Sequence, residues 1–172
     1  MPLTQSLYES AEALNQEFAA EIAEKLSQGI AQRGRASLMV SGGRTPLPLF
    51  KALSEIDINW ASVDVSLVDE RWVEESSDAS NTRLVKENLL VGKASAAHFI
   101  EMKSAEADAT DAAVACESRL STMSQPFDVL ILGMGEDGHT ASLFPCCEQL
   151  EDGLAMNSGR VCIATQPTTA PH

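Results

Sequence analysis

The sequence is short of basic residues and contains no long apolar run. Its 172 residues include 12 Lys and Arg against 25 Asp and Glu, which gives a formal net charge of −13. Nucleic-acid binding needs a basic surface, so this balance excludes a nucleic-acid partner. No stretch approaches the ~18 consecutive apolar residues of a membrane-spanning helix, and the N-terminus lacks the basic region of a secretory signal. We therefore expect a cytoplasmic protein that makes no membrane contact.

Several patterns of catalytic and metal-binding residues are also missing. The four cysteines are spaced neither as a C-x-x-C pair nor as a set of zinc ligands, so they are expected to be reduced thiols; they are Cys116, Cys146, Cys147 and Cys162. The sequence contains no H-E-x-x-H motif, which leaves a site without a metal ion. It also lacks a G-x-S-x-G motif, which disfavours a hydrolase with a covalent serine intermediate.

The residues that are present predict one α/β domain over 1–172. Apolar residues make up 44% of the chain and charged residues 22%, which is typical of a globular domain. Helical periodicity alternates with short, nearly continuous apolar runs, and this alternation is typical of a mostly parallel sheet. We expect a Rossmann-like open sheet flanked by helices. The predicted helices cover 6–31, 46–54, 81–89, 105–123 and 141–144, and the predicted strands cover 36–40, 63–68, 127–132 and 161–165.

The first of three unusual strand ends is the turn 41–46, which contains two adjacent glycines. Glycine allows a ligand to approach the backbone closely, and the helix that follows presents free N–H groups with a partial positive charge. The turn predicts a phosphate site, although a tight turn could need glycine for backbone reasons alone. The candidate ligands are Ser41, Gly42, Gly43, Arg44 and Thr45. No Gly-Lys-Ser/Thr follows, so the turn is not a Walker A loop.

Charged residues follow the second strand, where Asp69, Glu70 and Arg71 stand side by side. Ligands of open parallel sheets bind beyond the carboxyl ends of the strands. Arg71 is therefore a candidate to stabilise an oxyanion or to bind a sugar oxygen, and the carboxylates are candidates to orient it. The alternative is a cluster of surface ion pairs.

The third strand end carries a glycine-rich segment that matches the dinucleotide pattern G-x-G-x-x-G. The match consists of Gly133, Gly135 and Gly138. Two features of the context argue against a dinucleotide. Glu136 and Asp137 would lie beside the negative pyrophosphate, and no acidic residue follows the next predicted strand to bind a ribose.

His139 is the most informative residue of this segment. It lies at the mouth of the predicted sheet, two positions after Asp137, in a loop too rich in glycine to pack as a core. Imidazole is a competent general base near neutral pH, and a neighbouring carboxylate can fix its tautomer. A structural histidine is the alternative.

Together these segments resemble the 6-phosphogluconolactonases, within the glucosamine-6-phosphate isomerase/deaminase-like superfamily. The resemblance rests, in chain order, on Ser41-Gly42-Gly43-x-Thr45-Pro46, Asp69-Glu70-Arg71-Trp72, Ser80-Asn81, Leu132-Gly133-x-Gly135-x-Asp137-Gly138-His139 and Thr140-Ala141-Ser142-Leu143-Phe144-Pro145. It implies hydrolysis of 6-phosphoglucono-δ-lactone to 6-phosphogluconate in the oxidative pentose phosphate pathway, without a cofactor.

The resemblance also implies roles for individual residues. His139 would activate water with Asp137 as its orienting partner, and Arg71 would face the lactone. The remaining candidate contacts to substrate or phosphate are Ser41, Gly42, Gly43, Arg44, Thr45, Asp69, Asn81, Gly135 and Gly138. One alternative is a glucosamine-6-phosphate deaminase, in which an Asn-Glu-Pro-like segment stands where this chain has 141–145. Another is a sugar-phosphate-binding protein without catalysis.

The length of the chain is short for this resemblance. Family members generally continue for several tens of residues beyond a segment like 166–172. We therefore expect the C-terminal part of the family fold, with any basic phosphate ligands it supplies, to lie outside these residues. The sequence leaves the oligomeric state open.

Overall fold

The computed structural model describes residues 3–168 and consists of a parallel sheet with helices on both faces. The strands β1 (Ala36–Val40), β2 (Val63–Leu67), β3 (His98–Phe99) and β4 (Val129–Leu130) are arranged in the order β3-β2-β1-β4. All neighbouring pairs are parallel. The helices are α1 (Ala11–Arg33), α2 (Leu47–Ser54), α3 (Asn81–Asn88), α4 (Ala109–Leu120) and α5 (Leu150–Leu154). The prediction of an α/β fold with a parallel sheet is confirmed.

The centre of the sheet is buried on both faces. Every residue of β1 and β2 is buried, and the two strands pair in register from Ala36 opposite Val63 to Val40 opposite Leu67. Successive side chains of a strand point to opposite faces. Leu38 accordingly packs with α1 and α2 in the larger apolar cluster, whereas Met39 packs with α4 in a smaller one. This burial on both faces explains why the strands are nearly continuous apolar runs in the sequence.

The helices differ from the prediction mainly at their ends. Helix α1 begins at Ala11 because the Ser10 hydroxyl accepts a hydrogen bond from the Ala13 N–H at 3.1 Å, so the start predicted at residue 6 is wrong. Gly34 ends the helix in the left-handed region, with φ of 78°. Helix α2 begins at Leu47, and Thr45 makes no capping hydrogen bond.

Two elements predicted in the C-terminal third are wrong. Residues 161–165 form no strand, because the N–H groups of Val161 and Cys162 donate to the Glu117 carboxylate on α4 instead of to a neighbouring strand. Residues 141–144 form a tight turn rather than a helix, closed by a hydrogen bond from the Leu143 N–H to the Thr140 carbonyl at 3.0 Å.

Two further elements, β3 and α5, lie where the sequence predicted neither strand nor helix. Strand β3 contains only two residues, His98 and Phe99, which pair with Asp64 and Val65 of β2. Residues 169–172 lie outside the described part of the chain. Within residues 3–168, no helix is both long enough and apolar enough to cross a membrane.

Candidate active site

The three predicted strand ends lie at one edge of the sheet, because β1, β2 and β4 are parallel and neighbouring. Ser41, at the end of β1, bridges to the third of these segments. Its hydroxyl donates to the Ile131 carbonyl at 3.1 Å and accepts from the Gly133 N–H at 3.3 Å. This predicted phosphate ligand therefore also joins β1 to the loop that follows β4.

Gly42 and Asn81 are in close contact. A Cβ atom at Gly42 would overlap the side-chain amide of Asn81, so only glycine fits there. The same amide donates from Nδ2 to the Asp69 carbonyl at 3.0 Å. The structure thus brings together residues from the first two strand ends. Gly43, with φ of 89°, adopts a conformation that glycine provides without strain.

Arg44 and Thr45 project into solvent at the start of α2. Among residues 3–168, neither side chain makes a hydrogen bond or an ion pair with another described group. Both are therefore available to an anion at the first turn of the helix, next to the backbone N–H groups there.

Glu70 has a role that the sequence did not reveal. Its carboxylate accepts from the N–H groups of Asn81 at 2.9 Å and Thr82 at 2.8 Å, the first two residues of α3. It also accepts from the Arg71 N–H at 2.7 Å. An acidic side chain at a helix N-terminus satisfies free N–H groups and complements the helix dipole. Glu70 therefore fixes the backbone at Arg71 against α3.

Arg71 keeps most of its hydrogen-bonding capacity. Its Nη1 donates to the Ala79 carbonyl at 3.1 Å, and the side chain is exposed. A guanidinium has five N–H donors. One contact anchors the side chain, and the remaining donors are available to a negatively charged group.

His139 and Asp137 are in direct contact, as the sequence predicted. His139 Nδ1 lies 2.5 Å from Asp137 Oδ1, and the His139 backbone N–H donates to the same oxygen at 3.1 Å. The imidazole is 24% exposed and lies against Phe144, with ring centroids 4.2 Å apart. A carboxylate at Nδ1 holds the proton of the neutral ring there, which leaves Nε2 with its lone pair as the basic nitrogen.

Hydrogen bonds from the His139 side chain and backbone lower the pKa of the Asp137 carboxyl, because they stabilise its ionised form. The stabilisation from this contact is therefore fully present above the ordinary carboxyl pKa. It is lost as the pH falls through the lowered pKa of Asp137. In a ¹³C NMR titration we expect Asp137 to titrate below the ordinary range. His139→Ala should move its midpoint upward, and an unmoved midpoint would contradict the contact.

Gly135 and Gly138 shape the turn that carries the pair. The Gly138 N–H donates to the Gly135 carbonyl at 3.0 Å, and the Gly135 N–H donates to the His139 carbonyl at 2.8 Å. Gly138 has φ of 85°. A Cβ atom at Gly135 would overlap the His139 imidazole. Both glycines were predicted as substrate contacts. In the structure they form the turn that positions the His139 side chain beside Asp137.

Ser142 and Phe144 are further site residues to which the sequence assigned no role. The Ser142 hydroxyl donates to Asp69 Oδ2 at 2.6 Å, which links the third strand end to the second. No local pattern indicates the Ser142 contact, because its partner lies 73 positions away in the sequence.

An open pocket of about 400 Å³ lies beside Glu70, between the start of α3 and the segment after β3. Its other carboxylates are paired with Lys86 and Lys103. Its lining residues include neither His139 nor Arg71. Within residues 3–168, no group of three or more His, Cys, Asp or Glu side chains is arranged to hold a metal ion.

The fold and the site define an α/β protein with a histidine–aspartate pair, an arginine and a glycine turn at the carboxyl edge of a parallel sheet. A family model described as glucosamine-6-phosphate isomerases/6-phosphogluconolactonase matches residues 9–172. A 6-phosphogluconolactonase of Pseudomonas aeruginosa is 43% identical over 155 residues, which are 90% of this chain and 65% of that protein. One of Pseudomonas putida is 41% identical over 174 residues, covering 100% of this chain and 72% of that protein.

A solved structure agrees with these sequence matches. The crystal structure of a 6-phosphogluconolactonase from Shewanella baltica has a TM-score of 0.92 and 48% sequence identity, and the match covers 96% of this chain and 70% of that one. The chain belongs to the glucosamine-6-phosphate isomerase/6-phosphogluconolactonase family. It spans 65% to 72% of the length of these three relatives.

Proposed function

We propose that this chain hydrolyses 6-phosphoglucono-δ-lactone to 6-phosphogluconate, in the oxidative pentose phosphate pathway. The observation that carries the proposal is the His139–Asp137 contact of 2.5 Å at the carboxyl edge of the sheet. Relatives that are more than 40% identical are named 6-phosphogluconolactonases, and this supports the same reaction here. We also propose a cytoplasmic location, which is supported by the spacing of the four cysteines in the sequence, neither a C-x-x-C pair nor a set of zinc ligands.

In the proposed reaction, His139 acts as a general base. Its Nε2 takes a proton from a water molecule while the water oxygen attacks the lactone carbonyl carbon. The negative charge that develops on the carbonyl oxygen is stabilised by the free donors of Arg71. The bond between the carbonyl carbon and the ring oxygen then breaks, and the ring oxygen takes the proton back from the imidazolium. Asp137 stabilises this imidazolium and keeps the ring oriented.

The phosphate of the substrate lies, in this proposal, at the start of α2. Gly42 and Gly43 allow the anion to approach the backbone, and the exposed Arg44 and Thr45 supply a charge and a hydroxyl. Asn81 lies against Gly42, and its amide donates to the carbonyl of Asp69, two positions before Arg71, so we assign the sugar hydroxyl groups to the side chains of Asp69 and Asn81. The acidic net charge of −13 makes such a local cluster of donors necessary for an anionic substrate.

The proposal is tested by a kinetic trace with the lactone as substrate. The lactone also opens without a catalyst, so a sample without protein is measured in parallel and subtracted. Acceleration proportional to protein concentration is the expected result, with no ammonia released from glucosamine 6-phosphate. Deaminase activity instead of lactonase activity, or binding of 6-phosphogluconate without acceleration, would refute the proposal.

A further inference from the structure

One hydrogen bond joins the loop that carries Arg71 to the loop that carries His139. The Ser142 hydroxyl donates to Asp69 Oδ2 at 2.6 Å, although the two residues are 73 positions apart. Both side chains are half-buried, so water competes only partly for this bond. A hydrogen bond to an ionised acceptor is stronger than one between neutral groups.

The backbone before Ser142 is strained. Ala141 has φ of 51°, the only positive value at a residue other than glycine within residues 3–168. The β-carbon makes this conformation unfavourable. Such strain persists where the surrounding structure holds it. Two contacts hold it here, namely the hydrogen bond from Leu143 to Thr140 and the one from Ser142 to Asp69.

The acceptor side of the bond is rigidly placed. The Asp69 carbonyl accepts from Asn81 Nδ2 at 3.0 Å, and the Asn81 N–H is bound by the Glu70 carboxylate at 2.9 Å. Asp69 is therefore fixed to the first turn of α3. Ser142 connects the strained turn to this fixed frame.

We propose that Ser142 is a positioning residue, which holds segment 137–144, and with it His139, in a fixed position relative to Arg71. The catalytic part of this proposal rests on the proposed lactone hydrolysis. Ser142 acts through Asp69 and the backbone, and it takes no part in the proton transfers. Small displacements of reacting groups cost large factors in rate.

The kinetic test compares Ser142→Ala with Ser142→Thr, which keeps a hydroxyl. The alanine variant should lose about 10- to 100-fold in kcat with little change in KM, because the base is displaced whereas the phosphate turn is intact. The threonine variant should recover most of the lost rate. Ser27→Ala is the control and should leave kcat unchanged, since within residues 3–168 the Ser27 hydroxyl bonds only to the Ala23 carbonyl of α1.

Amide hydrogen exchange separates this proposal from the proposed activity. Exchange in segment 137–144 should be faster in Ser142→Ala than in wild type, Ser142→Thr and Ser27→Ala, with the melting temperature and the exchange of β1 unchanged. If the wild-type chain shows no lactonase activity, the proposed function fails and the exchange result alone decides the positioning role. Unchanged exchange, or a wild-type kcat in an active Ser142→Ala, overturns the proposal.

Discussion

Replacing His139 with alanine should lower kcat for lactone hydrolysis by about 10²- to 10⁴-fold, the range expected for loss of a general base. The imidazole is partly exposed and packs mainly against Phe144, so its removal should leave the fold intact. The affinity for 6-phosphogluconate should also stay close to that of the wild type, because the phosphate turn at 42–45 is unchanged. The measurement is a kinetic trace corrected for spontaneous opening, together with a binding isotherm.

His98→Ala is the matched control for this variant. His98 is exposed and lies on β3, away from the three strand ends. It should retain the full rate, which would show that the loss is specific to His139. A rate close to wild type in His139→Ala would remove the base from the proposed mechanism and leave Arg71 and the phosphate turn as a binding site.

The sequence correctly predicted the elements in which an apolar run in the sequence corresponds to a buried element in the structure. Strand β1 was predicted with its observed bounds because all five of its residues are buried and all but Ser37 are apolar. Segment 161–165 has a similar apolar pattern but is no strand, and the N–H groups of Val161 and Cys162 bond to Glu117 on α4. Strand β3 was missed because two residues give no periodicity, and its pairing with β2 depends on the tertiary structure.

The candidate site shows the same division between local and distant contacts. The contact between Asp137 and His139 could be predicted because the residues are two positions apart. The bridge from Ser41 to Ile131 spans 90 positions and the bond from Ser142 to Asp69 spans 73, so no local pattern indicates either. The sequence made Glu70 a candidate to orient Arg71, with a cluster of surface ion pairs as the alternative. In the structure the Glu70 carboxylate bonds to the backbone N–H groups of Arg71 and of the start of α3, and the sequence could not indicate these contacts because they depend on where α3 begins.

The loop between β4 and His139 offers a second test, in which a single methyl group should remove most of the activity. Gly135 has no positive φ, so its backbone accepts alanine, but the added Cβ would overlap the imidazole of His139. We expect the ring to move away from Asp137 and out of reach of the substrate. Gly135→Ala should therefore lose about 10²-fold or more in kcat, close to the effect of removing the base itself.

Gly133→Ala is a control in the same loop. A Cβ atom at Gly133 would meet nothing within 4 Å, and its φ is likewise not positive, so both substitutions have the same small effect on the unfolded chain. Gly133→Ala should keep the wild-type rate. In Gly135→Ala the Asp137 carboxyl should also titrate at a higher pH, since it loses the hydrogen bond from the imidazole. Equal rates in the two variants, with Asp137 unchanged, would show that the imidazole tolerates the methyl group and that its position is set by other contacts.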